Sequence, residues 1–199
     1  MRDEFASLPL GRLLDDLASA EPSPASGSVT AVVVAMAAGL IAMGARGSAH
    51  AWTEARGVAA QAIALRQRAV TLAAEVDEAY RAALMVLEAP PGGSAEARDF
   101  AIAGALRRAS AVPLEIARRA VDVAVLGALV AERAEPRWHG DCVSAVLLAE
   151  GAARAAANLV EINLTAGPRD PRLEEAKTLV DDADATARRV LAARWEELH

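Results

Sequence analysis

The chain has 199 residues, 54% of them hydrophobic and only 3% aromatic, with a formal net charge of -6. That length and apolar content suffice for one domain with a buried core, and the scattered arginine pairs Arg107-Arg108, Arg118-Arg119 and Arg188-Arg189 form no concentrated basic face, which argues against nucleic acid as a partner. Abundant alanine without alternating β-branched residues argues against a sheet, and the single cysteine, Cys142, excludes an intrachain disulfide and a cysteine zinc cluster.

Met1 to Glu4 carries charges of both signs with no apolar run behind it, so no secretory signal is read and the expected compartment is the cytoplasm. Leu10, Leu13, Leu14 and Leu17 then fall at i, i+3, i+4 and i+7, the stripe of an amphipathic helix that stops before Glu21-Pro22-Ser23-Pro24. Proline removes a backbone donor and biases its predecessor toward extended geometry, so Pro22 to Ser28 reads as a loop, with Ser26 or Ser28 expected to cap the next helix. From Val29 to Ala45 there is no charge, and Thr30 is the one polar residue. This run is shorter than the roughly 20 apolar residues of a membrane span and is built of Ala, Gly and Val, so it is expected at the centre of a bundle and not in a membrane. Its spacing of Ala31, Ala35, Gly39 and Met43 would admit a closely packed helix, either from the same chain or from a second copy in a homodimer.

A third helix is predicted from Thr53 to Glu88, where Val58, Ala62, Leu65, Ala69, Leu72, Val76, Ala79 and Ala83 alternate steps of four and three. Pro90-Pro91-Gly92-Gly93 breaks it. Ser94 and Glu96 open a fourth helix carrying Val112, Ile116, Val123 and Val130, with a kink expected at Pro113. Glu135-Pro136 ends that helix, Asp141 is expected to cap a fifth, and Leu147, Leu148, Val160 and Ile162 extend the pattern toward Gly167-Pro168. Asp170-Pro171 opens a sixth helix that presents Leu173, Val180, Ala187, Leu191 and Leu198. Six helices on short connections imply an all-α, up-and-down bundle forming a single domain over residues 1–199.

Four ordered stretches resemble the cyclodeaminase/cyclohydrolase family of folate enzymes. They are Leu13-Leu14-Asp15-Asp16-Leu17-Ala18-Ser19 with Pro22-Ser23-Pro24-Ala25-Ser26-Gly27-Ser28-Val29; Val112-Pro113-Leu114-Glu115-Ile116-Ala117; Gly140-Asp141; and Ala149-Glu150 leading to Glu161-Ile162-Asn163-Leu164. The resemblance implies a helical homodimer that binds a tetrahydrofolate derivative as its substrate and works without a metal or redox cofactor. Two reactions follow from it. One is cyclodeamination of 5-formiminotetrahydrofolate; the other is hydrolysis of 5,10-methenyltetrahydrofolate. Both pass through a tetrahedral carbon between two nitrogens and need a positioned acid–base group.

The chain departs from the family pattern at three places. Three successive glycines after the second proline are replaced by Ala25-Ser26-Gly27, and the acidic residue expected four positions before Tyr80 is Val76. Asp77, one residue later and about 100° around the helix, is the acid–base candidate, although its spacing to Arg81 also suits a surface ion pair. Lysines expected after the second helix are replaced by Arg46, Ser48 and His50, of which Arg46 and His50 are candidates for an anionic ligand tail. Asp141 is a second catalytic candidate, holding a pterin from a helix mouth, or else a plain N-cap. Ser26, Gly27, Ser28, Glu115, Glu161 and Asn163 complete the candidate binding set, with Glu115 alternatively paired to Arg118 or Arg119 and Glu161 and Asn163 alternatively facing solvent. His50, His139 and His199 show no metal-ligand spacing. The altered loop and Val76 leave two further readings open: a different iminium, amidine or heterocyclic substrate in specialised biosynthesis, or a non-catalytic helical dimer.

Overall fold

The computed structural model describes residues 7–19, 25–90, 94–164 and 170–197, with side chains to residue 193. Pro22-Ser23-Pro24, Gly167-Pro168 and Leu198, named above, lie outside the described residues. Those described form seven helices and no strand: α1 (Leu10–Leu17), α2 (Ser26–Gly47), α3 (Ala55–Leu87), α4 (Ala95–Ala109), α5 (Ala111–Arg133), α6 (Pro136–Leu164) and α7 (Pro171–Glu197). The expected all-α bundle is therefore present, with one more helix than the sequence implied.

The extra helix arises at Pro113. Without an N–H, this proline leaves the Ala109 carbonyl without its i+4 donor. The break falls on the single residue Ser110, which keeps helical dihedrals (φ -71°, ψ -16°), so the expected kink divides the fourth predicted helix into α4 and α5. The break is bound to the start of α7. Arg172 donates to the Arg107 carbonyl and to Ser110 Oγ, both at 2.7 Å, while Asp170 accepts from the Arg172 guanidinium at 2.9 and 2.7 Å and from its backbone N–H at 3.1 Å. These bonds from Arg172 hold the Asp170 carboxyl down at about 2, below the usual carboxylate range.

α2 lies at the centre, packed on α3, α5 and α6. Ala31, Val34, Ala38, Ile41 and Ala45 are fully buried along it, and the small side chains bring the helices close enough that a Cβ on Gly127 would come within 2.8 Å of Val146. α2 and α6 are both long and apolar enough to cross a membrane by length and composition; 61% of the most apolar window of α2 is buried inside the bundle, the packing of a core helix. Ala31 and Ala35 are buried against the chain's own helices, whereas Met43 is exposed. The small-residue spacing thus serves intrachain packing over its first half. Cys142 is buried beside Gly44, and burial pushes its thiol up to about 11.

Two capping expectations need correction. Neither Ser26 nor Ser28 caps α2: its N-cap is Ala25, with no side-chain bond, and the buried Ser28 hydroxyl instead donates to the Ala73 carbonyl on α3 at 2.9 Å. Asp141 caps nothing, because α6 begins at Pro136 and Asp141 sits in its second turn. Proline is favoured at the first helical position, where its missing N–H is no loss, so Pro136 opens a helix instead of only ending one. Ser94 and Asp170 cap as expected; Ser94 Oγ accepts from Ala97 N–H at 3.3 Å.

Candidate functional site

A cavity of about 150 Å³ opens where four helix ends meet. Its walls are the start of α2 (Ala25, Ser26, Gly27, Ser28), one face of α3 (Val76, Asp77, Tyr80), the α4–α5 junction (Ala109, Pro113) and the last turns of α6 (Leu159, Ile162, Asn163). Each wall has a local cause. α2 starts here without a side-chain cap, with the Ser28 and Val29 N–H groups bonded to the Ala25 carbonyl and those of Ser26 and Gly27 left without an intrahelical acceptor, so its positive end points toward the space. Val76, Asp77 and Tyr80 share one face of α3 at i, i+1 and i+4, and the proline break brings Pro113 to the rim.

Gly27 is the closest point between the first two walls. A Cβ there would lie 2.7 Å from Val76 Cγ2, so the glycine is what allows α2 and α3 to approach at this level. Val76 is 7% exposed and fills the position where a carboxylate was expected with an apolar contact. The Asp77 side chain is largely covered and accepts from Arg81 Nε at 3.0 Å, the expected i, i+4 pair, while remaining on the cavity wall. The site can thus offer a carboxylate, an amide, a phenol and backbone N–H donors around an apolar floor, a combination suited to orienting a polar heterocycle and moving a proton.

The cavity gathers Ser26, Gly27, Ser28, Asp77 and Asn163 from the ten candidates, although the Ser28 hydroxyl is engaged by Ala73. The other five lie elsewhere. Arg46 and His50 are at the far end of α2, about 30 Å away at 1.5 Å per residue, and His50 Nε2 is 2.5 Å from Glu135 Oε1. Asp141 is near that same end, beside the buried Cys142. Glu115 lies among arginines, 3.1 Å from Arg119, 3.2 Å from Arg118 and 4.0 Å from Arg68. Glu161 lines a separate groove between α6 and α7.

Tyr80, Pro113, Leu159 and Ile162 are wall residues that the candidate set omitted. Tyr80 and Pro113 were legible: one falls a turn after Asp77, the other marks a break, and a helix break next to a polar face often makes a recess. Among the described residues no group of three or more His, Cys, Asp or Glu is placed to hold a metal ion.

Comparison with known proteins agrees with this architecture. The profile of the formiminotransferase-cyclodeaminase family matches residues 9–179. The methenyltetrahydrofolate cyclohydrolase of Methylorubrum extorquens is 30% identical over 189 residues, covering 89% of this chain and 91% of that protein. The crystal structure of formiminotetrahydrofolate cyclodeaminase from Thermotoga maritima superposes with a TM-score of 0.82 at 24% identity, over 93% of this chain and 94% of that one.

Proposed function

This chain belongs to the formiminotransferase-cyclodeaminase family and is an enzyme of it, and from that premise we propose that it hydrolyses 5,10-methenyltetrahydrofolate at the cavity between α2, α3 and α6. The observation that carries this reading is the convergence of Asp77, Tyr80, Asn163 and the uncapped start of α2 on one recess. The cyclohydrolase relative, matched over nearly its whole length, favours hydrolysis over ammonia loss.

In this mechanism Asp77 accepts a proton from water as the water oxygen adds to the cationic methenyl carbon. The carbon becomes tetrahedral, bonded to oxygen, N5 and N10. Asp77 then returns the proton to N5 as the C–N5 bond breaks and the carbinol O–H is lost, leaving the formyl group on N10 and one proton released overall. The negative Asp77 carboxylate favours the cationic substrate, and general acid–base help of this kind contributes typically 10²–10⁴-fold. Asn163 and Tyr80 orient the ring system. At about 150 Å³ the recess holds the reacting centre, below the roughly 300–1,000 Å³ that encloses a whole drug-sized ligand, so the rest of the folate extends past the rim.

Cyclodeamination is the second reading, supported by the family's description and served by the same groups, with N10 as the nucleophile and ammonia as the leaving group. Val76 on the wall supports a different iminium or amidine substrate as a third. Following methenyltetrahydrofolate absorbance separates them. Loss of the signal above the spontaneous rate is expected from methenyltetrahydrofolate, and its appearance from formiminotetrahydrofolate supports the second reading. No change in either assay removes both folate activities.

A further inference from the structure

The cavity wall made by Ala109 and Pro113 is held from outside the cavity. None of the residues lining that space comes from α7, yet the first residues of α7 carry contacts that fix the α4–α5 junction. Arg172 Nη1 donates to the Arg107 carbonyl and to Ser110 Oγ, both at 2.7 Å, and the Ser110 hydroxyl donates to the same carbonyl at 2.8 Å. The three groups close on one another around Ser110, which is fully buried. The Arg107 carbonyl is one of the last four of α4. A guanidinium suits such a group because it brings N–H donors and a positive charge to the negative end of a helix.

The guanidinium is aimed by Asp170, which accepts from its Nε and Nη2 at 2.9 and 2.7 Å and from the Arg172 N–H at 3.1 Å. The Arg172 and Asp170 side chains are only 22% and 15% exposed. Lysine could not replace this arrangement, since an ammonium is a point charge without a planar fork. Behind the junction, Leu114, Val160, Leu164 and Ala176 form an apolar cluster that ties α5 and α7 to the last turns of α6. Those same turns supply Leu159, Ile162 and Asn163 to the cavity. α7 therefore braces two of the four walls without entering the space.

We propose that Arg172 is a positioning residue for the cavity: through Arg107 and Ser110 it sets where the wall of Ala109 and Pro113 stands relative to the α3 wall. It touches no substrate and moves no proton. Asp77 and Asn163 sit on helices that Arg172 does not bond, so its loss loosens the hold on the ring system more than it slows the chemical step. The consequence for turnover rests on the folate reading above; the placement of the wall does not.

The test uses the full chain with helical circular dichroism retained in each variant. Arg172→Ala, Arg172→Lys and Ser110→Ala are compared with wild type, and Ser48→Ala serves as a variant weakened at the other end of the bundle. Without ligand, faster amide hydrogen exchange is expected in residues 105–114 of both Arg172 variants, less so in Ser110→Ala, and not in Ser48→Ala. With methenyltetrahydrofolate, KM is expected to rise about tenfold or more in Arg172→Ala while kcat stays within about threefold. Lysine is expected to recover little of that rise, and Ser48→Ala to change neither constant. Unchanged exchange in residues 105–114 of Arg172→Ala overturns the proposal. So does faster exchange there with KM unchanged, or an equal rise of KM in Ser48→Ala, because either makes Arg172 a stabilising contact alone. Absence of folate turnover in wild type would remove the folate reading, and the exchange result then decides by itself whether Arg172 sets the wall. Should Arg172→Ala lose its helicity, Ser110→Ala, which keeps the Asp170–Arg172 pair, carries the same two readouts.

Discussion

The two ends of the bundle treat polar groups in opposite ways. At the end where α2 finishes, they tie neighbouring elements together: buried Ser48 donates to the Gly44 carbonyl at 2.9 Å and accepts from the Glu135 N–H at 3.0 Å, His50 meets Glu135, and Arg137 lies 5.0 Å over the Trp138 ring, although Trp138 Nε1 and His139 Nε2 are buried there without a hydrogen-bond partner among the described residues. At the end where α2 begins, the helix is uncapped and Asp77, Tyr80 and Asn163 face a recess. The contrast teaches that polar residues of the same types, on the same helices, become scaffold where they tie neighbouring elements together and site where they line a cavity, even when, like Asp77 with Arg81, they keep an ion pair.

The strongest way to break this contrast is to exchange charge for amide at each end. Asp77→Asn is expected to lower kcat/KM for methenyltetrahydrofolate by 10²–10⁴-fold, the range of one acid–base group, while Asp141→Asn stays within about threefold; steady-state absorbance kinetics reads both. Gly27→Ala comes next. Its Cβ would sit 2.7 Å from Val76 Cγ2, and overpacking of this kind costs about 1–3 kcal/mol. Urea denaturation is expected to show that loss, with partial recovery in the Gly27→Ala, Val76→Ala double variant, because removing the Val76 methyls relieves the clash.

At the scaffold end, Ser48→Ala removes both bonds of the buried Ser48 hydroxyl and strands the part-buried Glu135 N–H, and is expected to cost about 1–3 kcal/mol in the same denaturation experiment, with kcat/KM unchanged. A smaller effect belongs to Asp170, whose carboxyl is held at about 2 by Arg172. A carboxyl depressed on folding contributes stability above its ordinary value near 3.8, and that contribution is lost as pH falls through about 2. Thermal midpoints of wild type and Asp170→Asn should therefore differ at pH 6 and converge toward pH 2; a constant gap across that range removes the Asp170–Arg172 account.

The contrast also explains what was legible in the sequence. Periodicity and breakers carry fold, so the uncharged run of α2, the seam of α3 and the Asp170-Pro171 start could be read directly. The kink expected at Pro113 is present as the break at Ser110, but the bonds that hold it come from Arg172, 62 residues away, which no local pattern shows. For the candidate site, Ser26, Gly27, Asp77 and Asn163 were placed together by order and resemblance, and the structure brings them to one recess. Arg46, His50 and Asp141 were not separable from them on sequence, because the length of α2 puts its two ends about 30 Å apart and Pro136, not Asp141, begins α6. Ser28 illustrates a subtler limit: it lies on the cavity wall, as a candidate binding hydroxyl would, yet its donor is spent on Ala73.

Hydrogen exchange with and without a saturating reduced folate tests the central claim most directly, because it reports which end of the bundle the ligand protects. Slowed exchange in peptides covering residues 25–29, 76–80 and 159–163, with residues 46–50 and 137–142 unchanged, is the predicted result. Protection confined to residues 46–50 and 137–142 would place the ligand at the other end and contradict the account.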